Sequence, residues 1–356
     1  MKHRSEPSPF AAVAPDLTGG VGGLNLALSP YHLTTRELTA AVALTIADRA
    51  VTLVPQPPDG HSREIIRQAI DRVPRLLRLL EAWRWSGPLW RMGLVAGEAN
   101  DDRPFSCMTD VAAQISADPT LARIAPTKPR PADEGDEADR WLDAFCSDLL
   151  RGGPDPGLST VTIGALDRFA ANHGFVSVRG ATDSLAQRAE KQILQRVASI
   201  AIPVMSRAAG GRILELRASL HLELGALRAA ISDVWTEAAL NGVALDASPA
   251  AARLAEAAAA YTETFETWFS RVARDDENAE RTMRAFVSLT AAVLPTDSAL
   301  ICARAAIRGA ARAAGKAPAR AKEKPRASHG TAGSGALTQA PTLRVLIIRP
   351  MNVRPV

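Results

Sequence analysis

Aromatic side chains make up only 4% of this chain, lysine occurs six times against 36 arginines, and there are just three cysteines. Each shortage removes something. Cys107, Cys146 and Cys302 are far apart, odd in number and form no Cys-x-x-Cys pair, which excludes a disulfide framework and a zinc knuckle. The longest informative uncharged stretch, Leu17 to Thr35, holds four glycines and a proline and cannot cross a bilayer as a helix. Lys2 and Arg4 begin the chain as a signal peptide would, yet Glu6, Pro7 and Pro9 break any apolar run of the required length. The expectation is a cytoplasmic protein without a membrane segment. Because lysine is scarce in a sequence rich in Ala and Pro, the arginine excess reads as a GC-rich coding bias rather than as selection for phosphate contacts.

What is present favours helices. With 47% hydrophobic residues over 356 positions, the chain has material for about two domains with real cores. Ala and Leu lose little side-chain entropy in a helix and pack in narrow seams. The sequence therefore predicts a mainly α protein: a C-terminal up-down helical bundle, a less regular helical N-terminal region and a disordered basic tail.

The divisions run as follows. Residues 1–30, rich in Pro and Gly, form an irregular lead-in. Residues 31–158 form the helical N-terminal region, with a Pro-rich and acidic loop at 126–139. Thr34-Thr35-Arg36-Glu37 fits a capping box for a helix to about Ala50. Val51 to Val54 is a loop entry or isolated strand. Ser62 caps a helix carrying Ile65, Ile66, Ala69, Val73, Leu76, Leu77 and Leu80, which Pro74 kinks or splits. Asp139-Arg140-Trp141 opens a short helix with Phe145 and Leu149 inward, ended at Gly152-Gly153.

Residues 159–314 are assigned to the bundle. Its first part, 159–180, mixes signals: Thr160–Ile163 and Phe175–Val178 look β-like, whereas Gly164–Asn172 looks helical. From Asp183 onward the reading is helical, beginning with Leu185, Ile193, Leu194 and Val197. Within 211–240, Ile213, Leu220, Leu227 and Val234 recur every seven residues, with Leu224 and Ile231 between them, the pattern of one long bundle helix. Asn241-Gly242 stops it and Ser248-Pro249 starts an antiparallel successor. Met283, Phe286, Val287, Thr290 and Val293 continue as a further helix, and Ser298–Ala314 as the last. Residues 315–356 form the basic tail, with eight Lys/Arg against one Glu and little apolar material to offset ordering entropy until Leu343–Ile348. That terminal run either adds a strand to a sheet edge or is unselected sequence.

Chemistry is harder to find. No histidine has an acid three residues before it, as a di-iron bundle requires. His221-Leu222-Glu223 gives half of a zinc-deaminase motif without the cysteine pair. Gly315-Lys316-Ala317 lacks the Ser/Thr of a P-loop, and the glycines at 19–23 lack a preceding strand. No catalytic, metal or cofactor site is assigned. Ser29-Pro30-Tyr31-His32 followed by Arg36 is the only grouping of a histidine, a phenol and a guanidinium, and turn chemistry explains it most simply.

Two contact surfaces remain. Trp83, Trp85 and Trp90 alternate with Arg84 and Arg91 near Arg75 and Arg78, a pattern that packs a core or stacks bases and partners. Arg304, Arg308 and Arg312 line one helix face and lead into the tail cations, complementing a helix dipole or attracting an acidic partner. The leading expectation is a non-enzymatic interaction or scaffold protein that binds a protein partner, or itself, through a helical face. Nucleic-acid association through the tail is the alternative, and an enzyme without a local motif is third, to be revived by a concave pocket gathering His32, Arg36 or the acidic residues of neighbouring helices.

Overall fold

The computed structural model describes residues 23–52, 63–97, isolated positions between 139 and 150 and between 166 and 171, then 173–180, 195–241, 248–275, 283–295 and 342–351. Its centre is a seven-stranded mixed sheet, β1 (Asn25–Ala27), β2 (Arg49–Thr52), β3 (Val95–Gly97), β4 (Val176–Arg179), β5 (Gln195–Ser206), β6 (Met283–Pro295) and β7 (Thr342–Met351), in the order β3-β2-β1-β4-β7-β6-β5. The all-α bundle is therefore wrong: helices flank a sheet.

Strands β3, β2, β1, β4 and β7 are parallel. β6 runs against both β7 and β5, so β5 points the same way as the parallel set. The carboxyl ends of six strands thus share one edge, where β6 begins. The chain moves outward from β1 to β3 and then returns to place β4 on the other side of β1. That reversal is the topological switch point of a doubly wound sheet.

The parallel strands β1 to β4 are three or four residues long and almost wholly buried, as expected of strands covered on both faces. Between β1 and β2 lie α1 (Pro30–Thr34) and α2 (Leu38–Ile46). The expected capping box fails: Thr34 Oγ1 turns back to donate to the Pro30 carbonyl, and Glu37 itself occupies the cap position of α2. Between β2 and β3 lie α3 (Arg63–Arg72), α4 (Pro74–Trp83) and α5 (Gly87–Arg91). Pro74 does divide the helix, taking the first-turn position where its missing N–H costs nothing. Phe145 and Leu149 face inward as expected.

Beyond β4, segments that the sequence predicts as helices are strands. Ile200, Ile202 and Val204 belong to strand β5 and Val287, Leu289 and Ala291 to strand β6, alternating inward with the period of two that a half-covered sheet imposes. Outward-facing Ser199 and Thr290 bridge the two strands at 2.7 Å. Pro203 is tolerated because β5 is the edge strand. Leu343–Ile348, placed in the tail by sequence, lies in β7 between β4 and β6, an interior position whose central residues are fully buried.

The seven-residue pattern is nevertheless helical. It divides into α6 (Gly210–Ser219) and α7 (His221–Asn241), with Leu220 non-helical at the break. α8 (Pro249–Asp275) lies antiparallel to α7, fixed by Ala250 N to Glu237, Arg253 to Asp233 and Thr264 to Glu223. Ser248 caps α8 through the Ala251 amide. Arg217 ties this helical layer to the parallel half by donating to the carbonyls of Leu44, Thr45 and Ala47, at the buried negative end of α2. Burial, and then Arg228 beside it, lower the Arg217 pKa to about 10, which leaves it charged at neutral pH. Arg228 donates to the Ile46 carbonyl and pairs with Asp48 at 3.0 Å.

Candidate functional site at the carboxyl edge of the sheet

Open α/β sheets bind ligands outside the carboxyl ends of their strands, at the switch point. Here that edge gathers segments remote in sequence. After β1, Ser29 caps α1 by accepting from the Tyr31 amide, which turns His32 inward. His32 Nδ1 lies 2.9 Å from Glu37 Oε2, with both side chains mostly buried. After β4, Gly180 closes against the pair: a Cβ there would stand 2.6 Å from His32 Cε1 and 2.8 Å from Thr39 Oγ1. Only glycine fits this approach of backbone to imidazole.

The remaining segments meet at Arg36. Its φ of 53° is left-handed, as is the 58° of Arg207, and these are the only non-glycine residues with positive φ among those described. Such conformations cost about 1–3 kcal/mol each and persist only where the surroundings impose them. The two residues touch: Arg36 Nη2 donates to the Arg207 carbonyl at 2.6 Å. The Arg36 guanidinium sits over the Trp85 ring, 5.5 Å from its centroid, and Trp85 Nε1 donates to the Leu33 carbonyl. Gly210, opening α6, lets that helix reach the same segment, since a Cβ would stand 2.7 Å from the Trp85 carbonyl oxygen. Burial, and then the neighbouring Arg207 charge, lower the Arg36 pKa.

Under this rim, Asp167 binds both Arg179 and Ser177, a buried pair with a hydroxyl between its members. Thr52, the last residue of β2, is fully buried, and its hydroxyl has no hydrogen-bond partner among the described residues. The short loop after β1 carries no glycine, unlike the phosphate-binding turn of dinucleotide folds. Among the described residues no group of three His, Cys, Asp or Glu side chains is placed to hold a metal.

The residues singled out from sequence separate. Trp83 and Trp90 are core side chains, stacked with centroids 6.2 Å apart, their indole N–H groups engaged by Thr34 and Ser86. Trp85 alone of the three reaches the rim. Arg75 pairs with Asp143. Arg304, Arg308 and Arg312, with the basic stretch 315–341, lie outside the described residues. His221 is exposed, with Nδ1 at the Ala218 carbonyl. The seam that suggested a docking face is internal: Ile213, Leu220, Leu227 and Val234 are all fully buried within the chain. No described helix is long and apolar enough to cross a membrane.

Sequence reasoning found His32 and Arg36 together and missed Glu37's role, Arg207 and Gly180. Gly180, two residues beyond the β-like Phe175–Val178 run, was the one available signal, since such glycines mark close backbone approach. Comparison with known proteins gives no match: no family model fits the sequence, and no curated protein or solved structure is similar to it.

Proposed function

We propose that this protein binds a small molecule over the carboxyl edge of its sheet at the β1–β4 reversal, and that it is an enzyme in which His32, oriented by Glu37, exchanges a proton with that ligand. One observation carries the reading: both positive-φ arginines occur at this edge, hydrogen-bonded to each other, beside a mostly buried imidazole–carboxylate pair. Strain concentrated in one place, on segments that follow different strands, is the pattern that functional sites leave. A carboxylate on Nδ1 fixes the tautomer and leaves Nε2 as the nitrogen for chemistry, the division of labour used in general acid–base catalysis. The switch-point rule places ligands here in unrelated α/β proteins; for this chain that is analogy at the level of fold.

The test is a thermal-shift screen of nucleotides, phosphorylated sugars, amino acids and organic acids, followed by hydrogen-exchange mapping of each hit. Protection should appear at 29–39, 179–180 and 207–211. Hits that protect only other regions, or a screen with no hit at all, overturn the assignment. For a ligand that does map to the edge, His32→Gln should abolish turnover while leaving binding within a few fold. Unchanged turnover would leave a binding protein in place of an enzyme.

A further inference from the structure

We propose that the ligand of this edge carries a phosphate monoester, held between the guanidinium groups of Arg36 and Arg207. The inference rests on the site assignment above and adds the chemical class of what binds there. The Arg36 guanidinium reaches the Arg207 backbone at 2.6 Å, within range of the Arg207 charge, both residues have left-handed backbone, and neither side chain pairs with an acid among the described residues. The nearest carboxylate in sequence, Glu37, is engaged by His32. A folded protein gains nothing from bringing two like charges together; an anion between them converts the repulsion into attraction.

The size of the missing charge identifies the class. Two guanidiniums call for about two negative charges, and a phosphate monoester carries roughly −1.5 to −2 at neutral pH, against one for a carboxylate. Arginine forks match tetrahedral oxyanions through paired N–H groups. Arg36 is already aimed: one Nη is fixed by the Arg207 carbonyl and the guanidinium is held over Trp85, so little side-chain entropy remains to be lost on binding. α6, which begins three residues after Arg207, has no acid in its first turn and no side-chain cap, and the space beside Gly211 is open.

The experiment uses the full chain and inorganic phosphate as the probe, by titration calorimetry and thermal shift, with acetate and chloride at matched ionic strength. Phosphate should bind saturably and the other two should not. Arg207→Gln, which removes a side chain with no described contact, should weaken phosphate about ten- to a hundredfold, the usual worth of a charged hydrogen-bonded contact. Arg36→Lys should do the same despite keeping the charge, because the fork is lost. Arg253→Gln removes an equal charge from the exposed face of α8 and should change nothing. Binding that persists in an Arg36→Gln/Arg207→Gln double variant, or falls equally in Arg253→Gln, overturns the proposal, as does an absence of saturable binding. If a ligand from the screen protects the edge but ignores both arginines, only the phosphate assignment fails. If nothing protects the edge, the site itself fails.

Discussion

The two halves of the sheet are built differently. The β3-β2-β1-β4 half consists of parallel strands of three or four residues, buried on both faces and joined by helices. The β7-β6-β5 half consists of antiparallel ladders of ten to thirteen residues, with β5 and β6 turning one face outward. Long ladders carry rigidity, whereas short parallel strands supply ends, and it is at ends that loops gather side chains. The candidate site lies where the short half meets the long one, with Arg207 contributed by the far end of β5.

The sharpest way to break this arrangement is at β7, the one strand that pairs with both β4 and β6. Leu346→Asp places a charge at a fully buried position between them and should cost more than about 4 kcal/mol, enough to abolish the cooperative unfolding transition. Ala201→Asp, on the outward face of edge strand β5, should stay within about 0.5 kcal/mol. Similar losses at both positions in thermal and urea melts would mean that the long half is not anchored through β7.

A smaller effect tests how the helical layer is tied to the parallel half. Arg217→Ala removes the donor to three carbonyls at the end of α2, leaving them beside the α6–α7 layer, and should cost about 3 kcal/mol by urea denaturation. A loss below about 1 kcal/mol would show that water replaces the guanidinium at no cost.

How much of this was legible differs between the halves in the same way. The strands of the parallel half are too short to show any period, and of them Phe175–Val178 announced itself through its β-branched residues, while Val51–Val54, which overlaps the end of β2, was read as either a loop entry or an isolated strand. In the long half the period was present but ambiguous. Met283, Phe286, Val287 and Thr290 fit helical spacing, while Val287, Leu289 and Ala291 fit a strand, and an Ala-rich window satisfies both. Tertiary pairing decided, because β6 had two partners. Leu343–Ile348 was read with the basic residues before it, although a continuous apolar run is what an interior strand looks like. Helical segments without a strand alternative, such as α8 with its Ser248-Pro249 start, were correctly placed. Of the site, His32 and Arg36 were visible as neighbours. Their significance depended on Glu37, Gly180 and Arg207, which only the fold brings to them.

At the seam of the two halves, Gly180→Ala should cost about 2 kcal/mol, since its Cβ would overlap the His32 ring and the Thr39 hydroxyl unless one of them shifts. Calorimetric melting checks the magnitude. Under the proposed function the same change should impair ligand binding by displacing His32, and a variant with normal stability and normal binding would remove Gly180 from the site.

The smallest expected effects separate the halves most cleanly. Each half holds a fully buried hydroxyl without a hydrogen-bond partner among the described residues: Thr52 at the carboxyl end of β2, and Tyr261 in the helical layer. Burial raises the pKa of the Tyr261 phenol, so the group stays neutral through the working range, and its unmet hydrogen bond is a simple desolvation cost. Tyr261→Phe should therefore stabilise the protein by about 1 kcal/mol and leave ligand binding untouched. Thr52→Val should stabilise the free protein by a similar amount for the same reason. Thr52, however, stands at the edge where a ligand is expected, and there an unmet hydroxyl is a donor held in reserve. Melting measured with and without a ligand that maps to the edge distinguishes the two: the gain in Thr52→Val should shrink or reverse when ligand is bound, while the gain in Tyr261→Phe should not. Equal behaviour of the two variants would make both hydroxyls plain packing defects and confine ligand recognition to the arginine side of the edge.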